Sequence, residues 1–181
     1  MASDIPPPVC IRRAILTDLD ALVSADLESD AEDSVGDLIE AESWTSVERH
    51  AHRAKITAYA QDADKYSWVC IDAKTNEVVG MLLTWFRDRN TEPRNEASDF
   101  LFRYIDQSIF PRDGRFVEIF QLWVHPIYRR RGLATQMKRA AEEEGRLHHI
   151  HMICIINNLL NYVVLHWHLV CRKHRHPGRC P

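Results

Sequence analysis

Apolar positions recur along this chain with two periods, and the switches between them mark its elements. Val9 to Ile15 predicts a short first strand. Thr17 then stands as a helix N-cap with Asp20 three places on, and Leu19, Leu22, Val23 and Leu27 form a helical stripe. Residues 28–43 are acidic and weakly patterned, which predicts a loop or a short helix. Thr45 and Glu48 have capping-box spacing and open a helix to about Ala60. Tyr66–Ile71 and Val78–Phe86 read as a hairpin around a polar turn, Asp72–Glu77. Gly80 inside the second of these strands predicts a bulge or a close backbone contact. A charged loop over Asp88–Asn95 leads into a helical pattern over Glu96–Phe110, with Phe100, Leu101, Tyr104, Ile105 and Ile109 on one broad face. Arg115–Val124 is the next strand. Gly132 to about Gly145 is the next helix, with Leu133, Met137, Ala140 and Ala141 inward and Glu142–Glu144 in solvent. Ile150–Ile156 reads as a further strand.

Composition narrows the class without naming a function. With 181 residues the chain is long enough for one domain with a full core. A net charge of −3 argues against a general nucleic-acid binder, although Arg129, Arg130 and Arg131 are locally basic. No apolar run approaches the ~20 residues of a membrane span. MASDIPPPVC lacks a charged stretch followed by an apolar core, so no signal peptide is expected, and residues 1–9 read as a Pro-rich flexible tail. Five cysteines without framework spacing fit reduced thiols and a cytoplasmic location better than a disulfide scaffold.

The chemistry concentrates in residues 117–137, VEIFQLWVHPIYRRRGLATQM. A strand feeds a small-residue turn that opens directly into a helix. Helix N-termini carry N–H groups without intrahelical partners, and the dipole favours an anion there. Gly132 lets a backbone approach closely, Ala134 keeps the next contact small, and the arginines add positive charge suited to a pyrophosphate.

This segment resembles the acetyl-CoA-binding motif of the GNAT N-acetyltransferase superfamily, Arg/Gln-x-x-Gly-x-Gly/Ala. Arg129, Gly132 and Ala134 fill its three fixed places. The order strand, helix, helix, hairpin, strand, helix, strand also follows that family, and the likeness covers about residues 10–147. It implies an α/β fold, an α+β mixed sheet flanked by helices. It implies direct transfer of an acetyl group from acetyl-CoA to a primary amine on a small molecule or peptide. By the same resemblance the N–H of Leu122 would face the thioester oxygen. Trp123 and Val124 would pair their main chain with the pantetheine arm. Amides from Arg130, Arg131, Gly132, Leu133, Ala134 and Thr135 would hold the pyrophosphate.

An amine must lose its proton before it attacks a thioester. In the family's histone-acetylating branch a strand glutamate stands eleven residues before the motif's first position, and Glu118 stands eleven before Arg129. Glu118 is therefore the candidate general base. The competing reading is a strand glutamate on a solvent face or paired with an arginine. Strict alternation puts Glu118 on one face with Phe120 and Leu122 unless a bulge, common in this strand of the family, intervenes. Gln121 offers a polar contact but is a poor base. His125, before Pro126, reads first as a turn element and second as a proton carrier.

After Leu147 the family pattern is lost. From Asn158, the places for the family's Ala and Tyr hold Asn161 and Leu165, and Tyr162 is nearby but not at the matching place, so the family's general-acid role is empty or displaced here. Too few residues follow Val170 for the last strands. Residues 148–181 hold seven of the ten histidines and three of the five cysteines. Two alternatives follow: a GNAT-like domain that binds CoA without full activity, or a module whose tail binds metal through His149, His151, His166, His168, Cys171, His174 and His176. Their spacing is unlike that of familiar zinc sites.

Overall fold

The computed structural model describes residues 8–33, 44–88, 110–150, 153–156 and 163–164. Strand β1 (Val9–Arg13) leads through a 3-10 turn at Leu16–Asp18 into α1 (Leu19–Asp33), followed by α2 (Ser46–Gln61), β2 (Lys65–Asp72) and β3 (Val78–Asp88). Strand β4 (Arg115–Val124), a 3-10 turn at Pro126–Tyr128, α3 (Leu133–Leu147), β5 (Ile153–Ile156) and β6 (Val163–Val164) complete the order. The strands form one sheet in sequence order, antiparallel throughout except for the parallel pair β4–β5.

Two apolar layers hold the sheet between helices. On one face Leu133, Met137 and Ala141 of α3 pack on Trp68, Cys70, Leu82, Val117 and Ile119. On the other, Leu22 and Leu27 of α1 and Ile56 and Tyr59 of α2 pack on Val69, Met81, Leu83 and Trp123. The 3.6-residue stripes and the two-residue alternation thus meet as predicted.

The expected capping box is present. Thr45 N donates to Glu48 Oε2 at 2.7 Å, and Glu48 N donates to Thr45 Oγ1 at 3.3 Å. The first helix starts differently from the expectation at Thr17. Asp18 accepts from Ile15 N at 2.8 Å and from Arg12 at 2.6 and 2.9 Å, which closes the 3-10 turn one step earlier and ends β1 at Arg13. Residues 28–33 are helical rather than loop, because α1 continues past Leu27. Gly80 fills both roles anticipated for it. Val79 is the extra residue of a bulge against β2, and a Cβ on Gly80 would lie 3.1 Å from both Cys70 Cβ and Met137 Cε.

The helical pattern over Glu96–Phe110 lies outside the described residues apart from Phe110, which is non-helical and packs edge-on to Phe116. The fifth strand is shorter than expected, since Ile150 is a buried core residue ahead of it. The shortage of strand-forming chain near the C-terminus is corrected in part. Val163 and Val164 form β6 and pair with Ile156 and Ile155. Of the tail histidines and cysteines, His148 and His149 follow α3 and Cys154 lies in β5; the others, and Tyr162, lie outside the described residues.

Candidate active site

Strand β4 carries the site, and a bulge determines how it is presented. Leu83 pairs with Gln121 and Thr84 with Ile119, so Phe120 is an extra residue. The bulge reverses the alternation. Val117, Ile119, Leu122 and Val124 all belong with the α3-side core. Glu118 therefore does not share a face with Leu122. It looks toward α1 and α2 together with Phe120, Gln121 and Trp123, as the contacts of those residues attest.

Among the described residues, the parallel β4–β5 ladder covers Val117, Glu118 and Ile119 and ends at the bulge. His125 N donates to Val79 O at 3.0 Å, so the antiparallel alternation sends the main chains of residues 125, 123 and 121 toward β3. Leu122 and Val124 consequently turn their N–H and C=O groups toward the opposite edge, the β5 side. Trp123 does not: its main chain faces β3 and its indole is buried among the residues that pack on α1 and α2.

At the end of this edge stands the turn. Arg129 Nε donates to the Val124 carbonyl at 2.7 Å, which ties the turn to the strand. Arg130 has φ +62° and Gly132 φ +75°, two left-handed residues that swing the chain into α3. Gly132 is the N-cap of α3, and no side chain caps that end. The N–H groups of Leu133, Ala134 and Thr135 lie in the first turn of α3, where N–H groups have no intrahelical partner. Leu133 itself anchors the helix in the core. The guanidinium of Arg131 lies over the Tyr128 ring at 5.1 Å, and the Tyr128 hydroxyl donates to Asp72 at 2.5 Å. His125 lies in the turn reading: its N–H closes onto β3, it caps the 3-10 turn at Pro126, and its Nδ1 is buried without a hydrogen-bond partner among the described residues.

Glu118 sits upstream of the bulge, 6% exposed. Its Oε2 accepts from Arg87 Nη1 at 2.7 Å, and the arginine lies over the Trp85 ring at 4.5 Å. The pairing with an arginine is thus realised. Burial pushes the Tyr59 phenol well above the usual tyrosine range, and the nearby charge of Glu118 adds to the shift, so Tyr59 is a protonated phenol at neutral pH.

The sequence pattern missed a second polar group on this face. Asp26 of α1 is fully buried and its Oδ2 lies 2.5 Å from His52 Nδ1 and 2.6 Å from Lys55 Nζ, both of α2. Gln121 joins it to β4, donating to Asp30 at 3.2 Å and accepting from Lys55 at 3.4 Å. The signal was a carboxylate inside the Leu22–Leu27 stripe, a position where an isolated charge is costly. Among the described residues no group of three or more His, Cys, Asp or Glu side chains is arranged to hold a metal, and no helix is long and apolar enough to cross a membrane.

An antiparallel sheet with one parallel pair, flanked by helices on both faces, defines the acyl-CoA N-acyltransferase class of fold. Residues 35–161 match the family model described as acetyltransferase (GNAT) family. The chain belongs to that family, and the match runs past Leu147 into β5. Among solved structures it is similar to a predicted acetyltransferase from Clostridium acetobutylicum determined with acetyl-CoA, at 18% identity over 85% of this chain and 84% of that one, with TM-score 0.59. It is also similar to the aminoglycoside 6'-N-acetyltransferase AAC(6')-Ih from Acinetobacter baumannii, at 15% identity over 85% and 82%, with TM-score 0.58. AAC(6')-Iy in complex with a bisubstrate analog matches at 17% identity over 85% and 82%, with TM-score 0.58. At these identities the likeness is one of fold. No curated protein matches the chain by sequence.

Proposed function

We propose that this chain transfers the acetyl group of acetyl-CoA to a primary amine by direct attack within a ternary complex. The observation that carries the reading is the succession of the β4 edge at Leu122 and Val124, beyond the described β4–β5 pairs, and the N-terminus of α3, which has no side-chain cap. A pantetheine arm needs an edge to pair with and a pyrophosphate needs converging N–H groups, and these lie end to end.

Acetyl-CoA supplies the acetyl group as a thioester. In this reading the amides from Arg130 to Thr135 hold the pyrophosphate, with Arg130 and Arg131 adding charge. Arg129 serves differently from its neighbours, since its guanidinium braces the turn against Val124. The Leu122 N–H donates to the thioester oxygen as negative charge grows there. Glu118 takes the proton of the attacking amine, directly or through a water, and must exchange its Arg87 contact to do so.

Calorimetry with acetyl-CoA, followed by thiol release with a panel of amines, tests the reading. Saturable binding with amine-dependent thiol release is expected. Binding without release would favour a CoA-binding protein without turnover. Absence of binding, with Gly132→Glu changing nothing, would remove the acetyltransferase reading altogether.

A further inference from the structure

We propose that Phe120 is the acceptor platform, and that the acceptor is a monoamine with an aromatic body rather than a polycation. The inference rests on the proposed acetyl transfer and names the class of amine.

Phe120 occupies a singular place. It is the extra residue of the β4 bulge, and the β4–β5 ladder ends at its predecessor, Ile119. It therefore stands where the described β4–β5 pairing ends, two residues from Leu122. Its side chain is 48% exposed, whereas Glu118 and Trp123 on the same face of β4 are buried. Nothing about its packing requires a large aromatic to stand half in solvent. The ring lies 5.7 Å from Tyr59, tilted by 38°, and Lys55 Nζ stands 5.8 Å from its centroid. A half-open ring edged by a second aromatic is a surface on which a flat apolar group stacks in an offset arrangement.

Charge decides against a polycation. An acceptor with several ammonium groups needs carboxylates free to receive them. Among the described residues of this face they are already engaged: Glu118 by Arg87, Asp26 by Lys55 and His52, and Asp30 by Gln121 with Lys55 3.9 Å away. Lys55 stands over the Phe120 ring, and Arg87 holds Glu118, two residues before it in β4. Each additional ammonium group would have to displace one of these cations from its carboxylate. One amine, delivered to the thioester beside Glu118 with its apolar body on Phe120 and Tyr59, fits both observations.

The probes are 2-phenylethylamine, cyclohexylamine and spermine, titrated by calorimetry into the protein alone and into its CoA complex, with wild type, Phe120→Ala and Phe120→Tyr. The expected result is tightest binding of 2-phenylethylamine. Phe120→Ala should weaken it roughly tenfold, Phe120→Tyr should retain it within about threefold, and acetyl-CoA affinity should stay unchanged. Spermine binding as tightly as 2-phenylethylamine, no preference over cyclohexylamine, or no effect of Phe120→Ala would each overturn the proposal. Acetyl-CoA is titrated separately, so a protein that binds the arylamine but not acetyl-CoA would defeat the transferase reading and leave the platform standing.

Discussion

Arg87 and Glu118 form a buried ion pair across the β3–β4 ladder, Nη1 to Oε2 at 2.7 Å, with side chains 13% and 8% exposed. The pair realises the arginine-paired reading of Glu118, while the carboxylate stays on the face of β4 that looks toward α1 and α2. Its two members are separable by experiment. Glu118→Gln should lower turnover about 10²–10⁴-fold with acetyl-CoA binding unchanged in calorimetry. Turnover near wild type would end the assignment of Glu118 as base.

Arg87→Met makes a different prediction. It leaves Glu118 buried beside an apolar chain, and removing one partner of a buried pair costs about 3–5 kcal/mol. Chemical denaturation should show this loss, and Arg87→Met combined with Glu118→Gln should recover part of it. Equal stability of the single and double variants would mean that the pair contributes nothing to the fold.

Gly132 should resist substitution for backbone reasons alone. A Cβ there meets no atom within 4 Å, yet φ is +75°. An alanine in the left-handed region costs about 1–2 kcal/mol, and a relaxed turn would withdraw the α3 amides from the anion. Gly132→Ala should lower stability by about that amount and weaken acetyl-CoA binding. Gly132→Asn, which tolerates this conformation better, should lose less of both. Alanine and asparagine variants of equal affinity would refute the argument.

Acid sensitivity should trace in part to the first turn. The hydrogen bond from Arg12 holds the Asp18 carboxyl below its usual range, and the Ile15 N–H adds to this against the opposing effect of burial. The folded chain binds that proton less tightly than the unfolded one. The stabilisation is therefore complete above the unfolded carboxylate value of about 3.9 and is lost as pH falls through the lower folded value. Asp18→Asn should cost about 0.5–1.5 kcal/mol at pH 7, discounted for the partial exposure of Arg12, and progressively less as pH falls below about 3.9. A difference independent of pH in urea titrations would contradict it.

The cysteines of β1 and β2 should differ in reactivity although their strands are neighbours. Cys10 is exposed, whereas Cys70 is buried and burial pushes its thiol up to about 11. At pH 8 the thiolate fraction of Cys70 is then about one in a thousand. Iodoacetamide at pH 8 should label Cys10 and spare Cys70, read by peptide mass mapping. Comparable labelling of both would mean that the α3 face opens readily.

Much of this protein could be read along the chain. Local physics decides the Thr45–Glu48 cap, the stripes of α1 and α3, the hairpin around Asp72–Glu77, and the turn from Arg129 to Ala134 that opens into a helix. Each depends on residues a few positions apart, so spacing alone carries them. The tertiary structure decided what depends on pairing between distant segments. The bulge at Phe120 exists only in the ladder with β3, and it moves Glu118 away from Leu122 and gives the β5-side edge to Leu122 and Val124 but not Trp123. Only contact with α1 and α2 brought Asp26, His52, Lys55 and Gln121 together, and only β3 brought Arg87 to Glu118. A two-residue strand at Val163–Val164 carries no period of its own and forms because Ile155 and Ile156 offer it an edge. A one-residue change of register inverts every side chain beyond it, and no periodicity within β4 alone announces such a change.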